Sequence, residues 1–143
     1  LRSSMTLYAT RASVPWATLG LRVGGEHLVG AFPFYDAATL GGTTNLRGYR
    51  AHRFAGRSTF FAGAEPRIRL NRFRAVLWPA GEFGVLAFAD AGRVWADGMP
   101  KGPWHVGYGA GVWGALSSRL GGTLTYDVSQ ETRAVSLRFG FAF

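Results

Sequence analysis

"TFFAGAEPRIRLN", residues 59–71, alternates between two kinds of side chain. Phe60, Ala62, Ala64, Ile68 and Leu70 take the even positions, and Thr59, Gly63, Glu65, Arg67, Arg69 and Asn71 the odd ones. A period of two puts successive side chains on opposite faces of an extended chain. The stretch therefore reads as a strand with one apolar face and one small-and-polar face. The same rhythm returns in "WHVGYGAGVWG" (104–114), "RLGGTLTYDV" (119–128) and "RAVSLRFGFAF" (133–143). Strands are predicted near 4–12, 16–29, 58–71, 83–95, 104–116, 119–128 and 132–143. They are consecutive and antiparallel, with room for an eighth near 31–38 or at the start. "WPAGE" (78–82), "ADGMPKGP" (96–103), "LSS" (116–118) and "VSQET" (128–132) carry the Pro, Gly, Ser and Asp that mark turns. No segment with a helical period competes.

An all-β chain of this kind has two homes. In a soluble barrel or sandwich the apolar face points inward; in an outer-membrane barrel it faces lipid and the polar face lines the lumen. Three features favour an antiparallel transmembrane β-barrel. The strands run near the roughly 9–11 residues that cross a bilayer when tilted, beyond the usual soluble length. Trp16, Trp78, Trp95 and Trp104 sit near strand ends, as interfacial girdles do. The chain also stops on an aromatic residue at the end of its last alternating strand. On this reading Phe60, Ile68, Leu70, Val106, Tyr108, Leu124, Tyr126, Leu137, Phe139 and Phe141 face lipid, and Glu65, Asp90, His105, Thr125 and Arg138 face the lumen.

Composition bounds the rest. The chain of 143 residues is one barrel domain, or a piece of one, with a long inserted loop at about 30–57. With 48% hydrophobic and 15% aromatic residues it is not disordered. Absence of cysteine excludes disulfides, thiolate metal sites and a cysteine nucleophile. The formal net charge is +8, and Lys101 is the sole lysine. Such a balance suggests anionic partners: acidic lipid, lipopolysaccharide or acidic polypeptide. The arginines are spread through the strands rather than clustered, so no nucleic acid is expected. No apolar run of about 18 residues offers a transmembrane helix. No signal peptide is visible, and a start at Leu1 is expected of a processed product or a fragment.

"GAGVWG" (109–114) matches a dinucleotide-binding glycine pattern, but lies inside an alternating strand with no helix after it. Glycines along one strand face leave room for something bulky to approach. His27, His52 and His105 have no metal-ligand spacing, and nothing resembles a nucleophile elbow. No metal, cofactor or enzymatic activity is expected. The few acids matter more. Glu65 and Asp90 fall mid-strand on the polar face of neighbouring strands, where an unpaired carboxylate is expensive. Their partners are either strand arginines such as Arg67 and Arg69 or a group supplied by the loop.

"LGGTTNLRGY" (40–49), "AGAEPRIRL" (62–70), "FADAGRVW" (88–95) and the terminal "VSLRFGFAF" (135–143) together resemble the bacterial surface-antigen superfamily. It comprises outer-membrane barrel assembly factors (BamA-like and TamA-like) and two-partner-secretion transporters. The likeness spans residues 40–143 with the four motifs in family order. It implies that the loop folds back into the barrel with Arg47, Gly48 and Tyr49 at its tip. Glu65 and Asp90 then stand where the family places the acids that receive the arginine, and Gly92 keeps the wall clear. Val135, Leu137, Phe139, Phe141 and Phe143 resemble the C-terminal signal by which such barrels are recognised during assembly. The implied location is the Gram-negative outer membrane. The implied partners are lipid, lipopolysaccharide, β-rich client polypeptides and barrel assembly machinery or a second copy. Two departures stand out: Pro66 occupies a position that is more often aromatic in the family, and seven strands fall short of its sixteen. The competing expectations are a small non-transporting barrel with a structural or adhesion role, and a soluble ligand-binding barrel.

Overall fold

The computed structural model describes residues 1–75, 78–96, 102–116 and 120–140. Nine strands follow in chain order: β1 (Arg2–Val14), β2 (Ala17–Leu28), β3 (Ala38–Leu40), β4 (Phe54–Gly56), β5 (Ser58–Ala75), β6 (Trp78–Trp95), β7 (Trp104–Leu116), β8 (Leu120–Ser129) and β9 (Arg133–Gly140). Seven of them form one antiparallel sheet in the order β1-β2-β5-β6-β7-β8-β9, and β3 pairs with β4 as a separate hairpin. Residues 31–38 add no strand to the main sheet; they hold a single 3-10 turn at Phe34–Asp36 and the start of β3. Among the described residues the sheet is open, since β1 and β9 share no ladder. It nevertheless curls far enough for Tyr8 of β1 and Arg138 of β9 to line the same cavity.

Side chains alternate across this sheet. Ile68, Leu70, Val106, Tyr108, Leu124, Tyr126, Leu137 and Phe139 are exposed on the outer face. Phe60 shares that face but is half-buried, edge-on against Trp104 at 6.2 Å. Glu65, Asp90, His105, Thr125 and Arg138 lie on the inner face, all half-buried or buried. Phe141 lies outside the described residues. The inner face is not uniformly polar: Phe61, Leu86 and Phe88 are buried there.

One expectation about the ladder needs correction. "WPAGE" is not a turn but the first stretch of β6, because β5 and β6 each run to 18 residues. Arg72 pairs with Glu82 and Phe73 with Gly81, and the register shifts between Arg69 and Asn71 and again between Phe73 and Ala75. Irregularities of this kind let a ladder continue past turn-type residues. Pro79 stands next to the start of its strand, where a missing amide costs least. Leu116 closes β7 as the strand expected at 104–116 has it, while Ser117 and Ser118 lie outside the described residues, as does most of "ADGMPKGP". Pro66 leaves its own mark. The β5–β6 ladder runs from Ala64↔Ala89 directly to Arg67↔Leu86, skipping Glu65 and Pro66 without a change of register.

Candidate functional site

The connection between β2 and β5, residues 29–57, folds onto the inner face. Its stem is the β3–β4 hairpin, and its turn is pinned from within. Asn45 accepts from the Gly41 amide at 2.9 Å through its Oδ1 and donates to the Thr39 carbonyl at 3.1 Å. Leu40 and Leu46 are fully buried and cluster with Tyr49 and with Phe61 of the sheet, while Phe54 and Val94 pack alongside. This explains the aromatic residue on the polar face of β5: Phe61 meets loop, not water. Gly92 serves the same contact, because a Cβ there would crowd the Leu40 side chain at 2.8 Å.

Arg47 sits at the tip, 3% exposed, over Asp90, which is 2% exposed. Its Nε donates to Asp90 Oδ2 at 2.6 Å and its Nη2 to Asp90 Oδ1 at 2.9 Å, the two parallel bonds of a guanidinium–carboxylate fork. Nη1 donates to Glu65, and the Arg47 amide adds a bond to Asp90 at 3.2 Å. The guanidinium also lies 3.7 Å from the ring centre of Phe88, a cation–π contact on a desolvated face. Burial alone would lower its pKa; the bonds and charges of Asp90 and Glu65 outweigh that and hold it above its ordinary value. Arg47 is therefore a fixed positive charge.

Neither acid depends on Arg47 alone. Arg22 of β2 donates to Asp90 at 2.7 Å and, through its other terminal nitrogen, to the Thr44 carbonyl at 2.5 Å. Arg67 donates to Glu65 at 2.7 Å. Both sources of cation considered for the acids thus operate together, whereas Arg69 turns to Glu82 and to the Pro15 carbonyl.

The rest of the tip is held by backbone geometry. Gly48 adopts a φ of 85°, which only glycine takes without strain, and its carbonyl accepts from Ser129 at 2.7 Å. Tyr49 donates to the Val106 carbonyl at 3.2 Å. Opposite stands Gly107 of β7, where any Cβ would overlap the carbonyl oxygen of Arg47. Farther out, Phe54 stacks on His105 at 3.7 Å, and Arg53 pairs with Glu131 in the β8–β9 turn at 2.7 Å. His27 bonds Ser58 and His52 bonds Thr39, so the three histidines stand apart.

The structure thus brings Arg47, Gly48, Tyr49, Glu65 and Asp90 into one cluster, with Gly92 behind the stem. Val135, Leu137 and Phe139 lie exposed on the outer face of β9, remote from it, and Phe141 and Phe143 fall outside the described residues. Sequence reasoning missed Arg22, Phe88, Gly107 and Ser129. The glycine run of β7 signalled Gly107, and even-numbered placement on β2 signalled Arg22. Nothing local signalled Ser129.

A family model described as the Omp85 superfamily domain matches residues 4–129. Searches of curated proteins and of solved structures returned no match.

Proposed function

This chain belongs to the Omp85 superfamily, and from that premise we propose that it closes, alone or with further strands, into an outer-membrane β-barrel that inserts or translocates β-rich polypeptides. The observation that carries the reading is the inward loop fixed on the inner face by Arg47, Asp90 and Glu65. A loop held this way divides the inner face into a half packed under the loop and an open half. It braces β2, β5, β6, β7 and β8 against one another without a covalent link. Several further features support a membrane setting. β2, β7 and β8 have 12, 13 and 10 residues, enough to cross a bilayer when tilted. Their outer faces carry exposed Leu21, Val106, Tyr108, Val112, Leu124 and Tyr126, a load that water would penalise. Work on a client would draw on the client's own folding, and no covalent chemistry is proposed.

The decisive experiment is reconstitution into liposomes with an unfolded outer-membrane barrel as client. Faster client insertion than in empty liposomes is expected. An unchanged rate would leave the non-transporting barrel in its place. Membrane topology has a separate test, simplified by the absence of native cysteine. In intact membranes Thr10→Cys, exposed on the inner face of β1, should react with a water-soluble thiol reagent. Leu124→Cys and Leu137→Cys on the outer face should be protected. Free labelling of the latter two would sink the membrane reading.

The terminal residues bear on assembly. Deletion of Phe143 should lower the amount of assembled protein in cells while refolding in detergent stays nearly intact, as expected if the alternate residues Val135 to Phe143 are read by an assembly factor through strand addition. Equal losses in both settings would reduce them to lipid-facing positions.

A further inference from the structure

The part of the inner face that the loop leaves open holds a second set of charges. A cavity of about 420 Å³ lies there, lined by residues that include Arg22, Glu65, Arg67, Glu82, Thr123 and Arg138. That volume is typical of sites for small ligands, roughly 300–1,000 Å³. Every acid lining it is already engaged. Glu65 accepts from Arg47 through one oxygen and from Arg67 through the other. Glu82 accepts from Arg72 at 3.0 Å and Arg69 at 3.4 Å. Arg22 is committed to Asp90 and Thr44.

Arg138 has no such commitment. Among the described residues its Nε and Nη2 are both buried without a hydrogen-bond partner, and so is the hydroxyl of Thr123, the residue directly opposite it in the β8–β9 ladder. Glu65 and Asp127 lie near enough for their charges to act on Arg138, but among the described residues neither makes a hydrogen bond or ion pair with it. Asp127 accepts from Ser136 at 2.5 Å through Oδ2, while its Oδ1 is itself buried without a hydrogen-bond partner among the described residues, so the two groups do not satisfy each other. Buried donors left unpaired are costly, and groups of this kind are normally satisfied by a partner. Nε and Nη2 share one edge of a planar guanidinium and point the same way. That edge meets a carboxylate with two parallel bonds, and the Thr123 hydroxyl can add a third donor.

We propose that Arg138 and Thr123 form a carboxylate-binding site in this cavity, filled by an acidic side chain of an extended polypeptide or by a free small acid. The polypeptide source rests on the functional reading above; carboxylate binding itself does not. Calorimetric titration of the purified protein in detergent separates them, with glutarate as the free acid and a short extended peptide bearing one Glu compared with its Gln twin. The Glu peptide should bind at least about tenfold more tightly than the Gln peptide, the value of one charged fork. Arg138→Gln should erase that difference, and Arg138→Lys should keep part of it. Thr123→Val preserves the shape and the charge, so it carries the test if Arg138→Gln fails to fold; it should weaken binding about threefold. Glutarate binding that needs Arg138, without discrimination between the peptides, would support the site and assign it to a free acid. No binding of either probe, or binding indifferent to both substitutions, would overturn it. These outcomes do not depend on the liposome assay, so its failure and theirs are told apart.

Discussion

Asp90→Asn is expected to release the loop more completely than Arg47→Ala, although the two residues share one fork. The reason is what each change leaves behind. Without Arg47, Asp90 still has Arg22 and Glu65 still has Arg67. The cost then falls near the low end of the roughly 3–5 kcal/mol that follows from breaking a buried pair. Without the Asp90 charge, the buried guanidinium of Arg47 and the half-buried one of Arg22 converge on an amide and only Glu65 remains to face Arg47, so the upper end applies. Chymotrypsin cleavage after Tyr49, which is buried in the docked loop, reads the open population when opening is fast. At about 1.4 kcal/mol per tenfold, Arg47→Ala should raise it roughly a hundredfold and Asp90→Asn further still. The double mutant should lose less than the sum of the two, since the partners act as one unit. Arg47→Lys should recover only part, because an ammonium cannot form the fork. Strictly additive losses, or Arg47→Ala matching the parent in cleavage rate, would remove Arg47 as the loop's anchor.

A larger effect is expected at a residue that has no side chain. Gly107→Val should expel the tip with Arg47, Asp90 and Glu65 all intact, because the new side chain would occupy the place of the Arg47 carbonyl. Overpacking against side chains costs about 1–3 kcal/mol. Here the obstacle is backbone already fixed by Gly48 and Ser129, which cannot turn aside as a rotamer can. Trypsin should then cut at Arg47–Gly48, a bond closed in the parent. Gly114→Ala on the same strand is the control, since its Cβ would make an ordinary 3.8 Å contact with the Glu82 carbonyl. Equal cleavage in both variants would show that β7 tolerates bulk under the tip.

Alternation made the seven main strands legible, and it also placed Glu65 and Asp90 on one face of adjacent strands. It was blind wherever a position takes its meaning from a distant segment. Phe61 and Phe88 break the polar face because the loop covers the first and the Arg47 guanidinium the second, which a period of two cannot reveal. The extension of β5 and β6 through "WPAGE" escaped for a related reason. Turn-type residues state a local preference, and a ladder of 18-residue strands with shifted register overrides it. Ser129 was invisible altogether, since it lies 81 residues from the Gly48 carbonyl it holds.

That separation sets an order of events. The loop is made before the surface that receives it: Asp90, Gly107 and Ser129 all follow it in the chain. Its apolar tip residues Leu46 and Tyr49 have no burial site until β5, β6, β7 and β8 have paired. Contacts of such long sequence separation form late, because the entropy of closing the intervening chain comes first. Docking of Arg47 is then a report that five strands are already in register. A chain whose sheet has slipped by one residue turns Asp90 to the other face, and its loop stays open to proteases. The lock works as an inspection of the finished sheet as well as its brace.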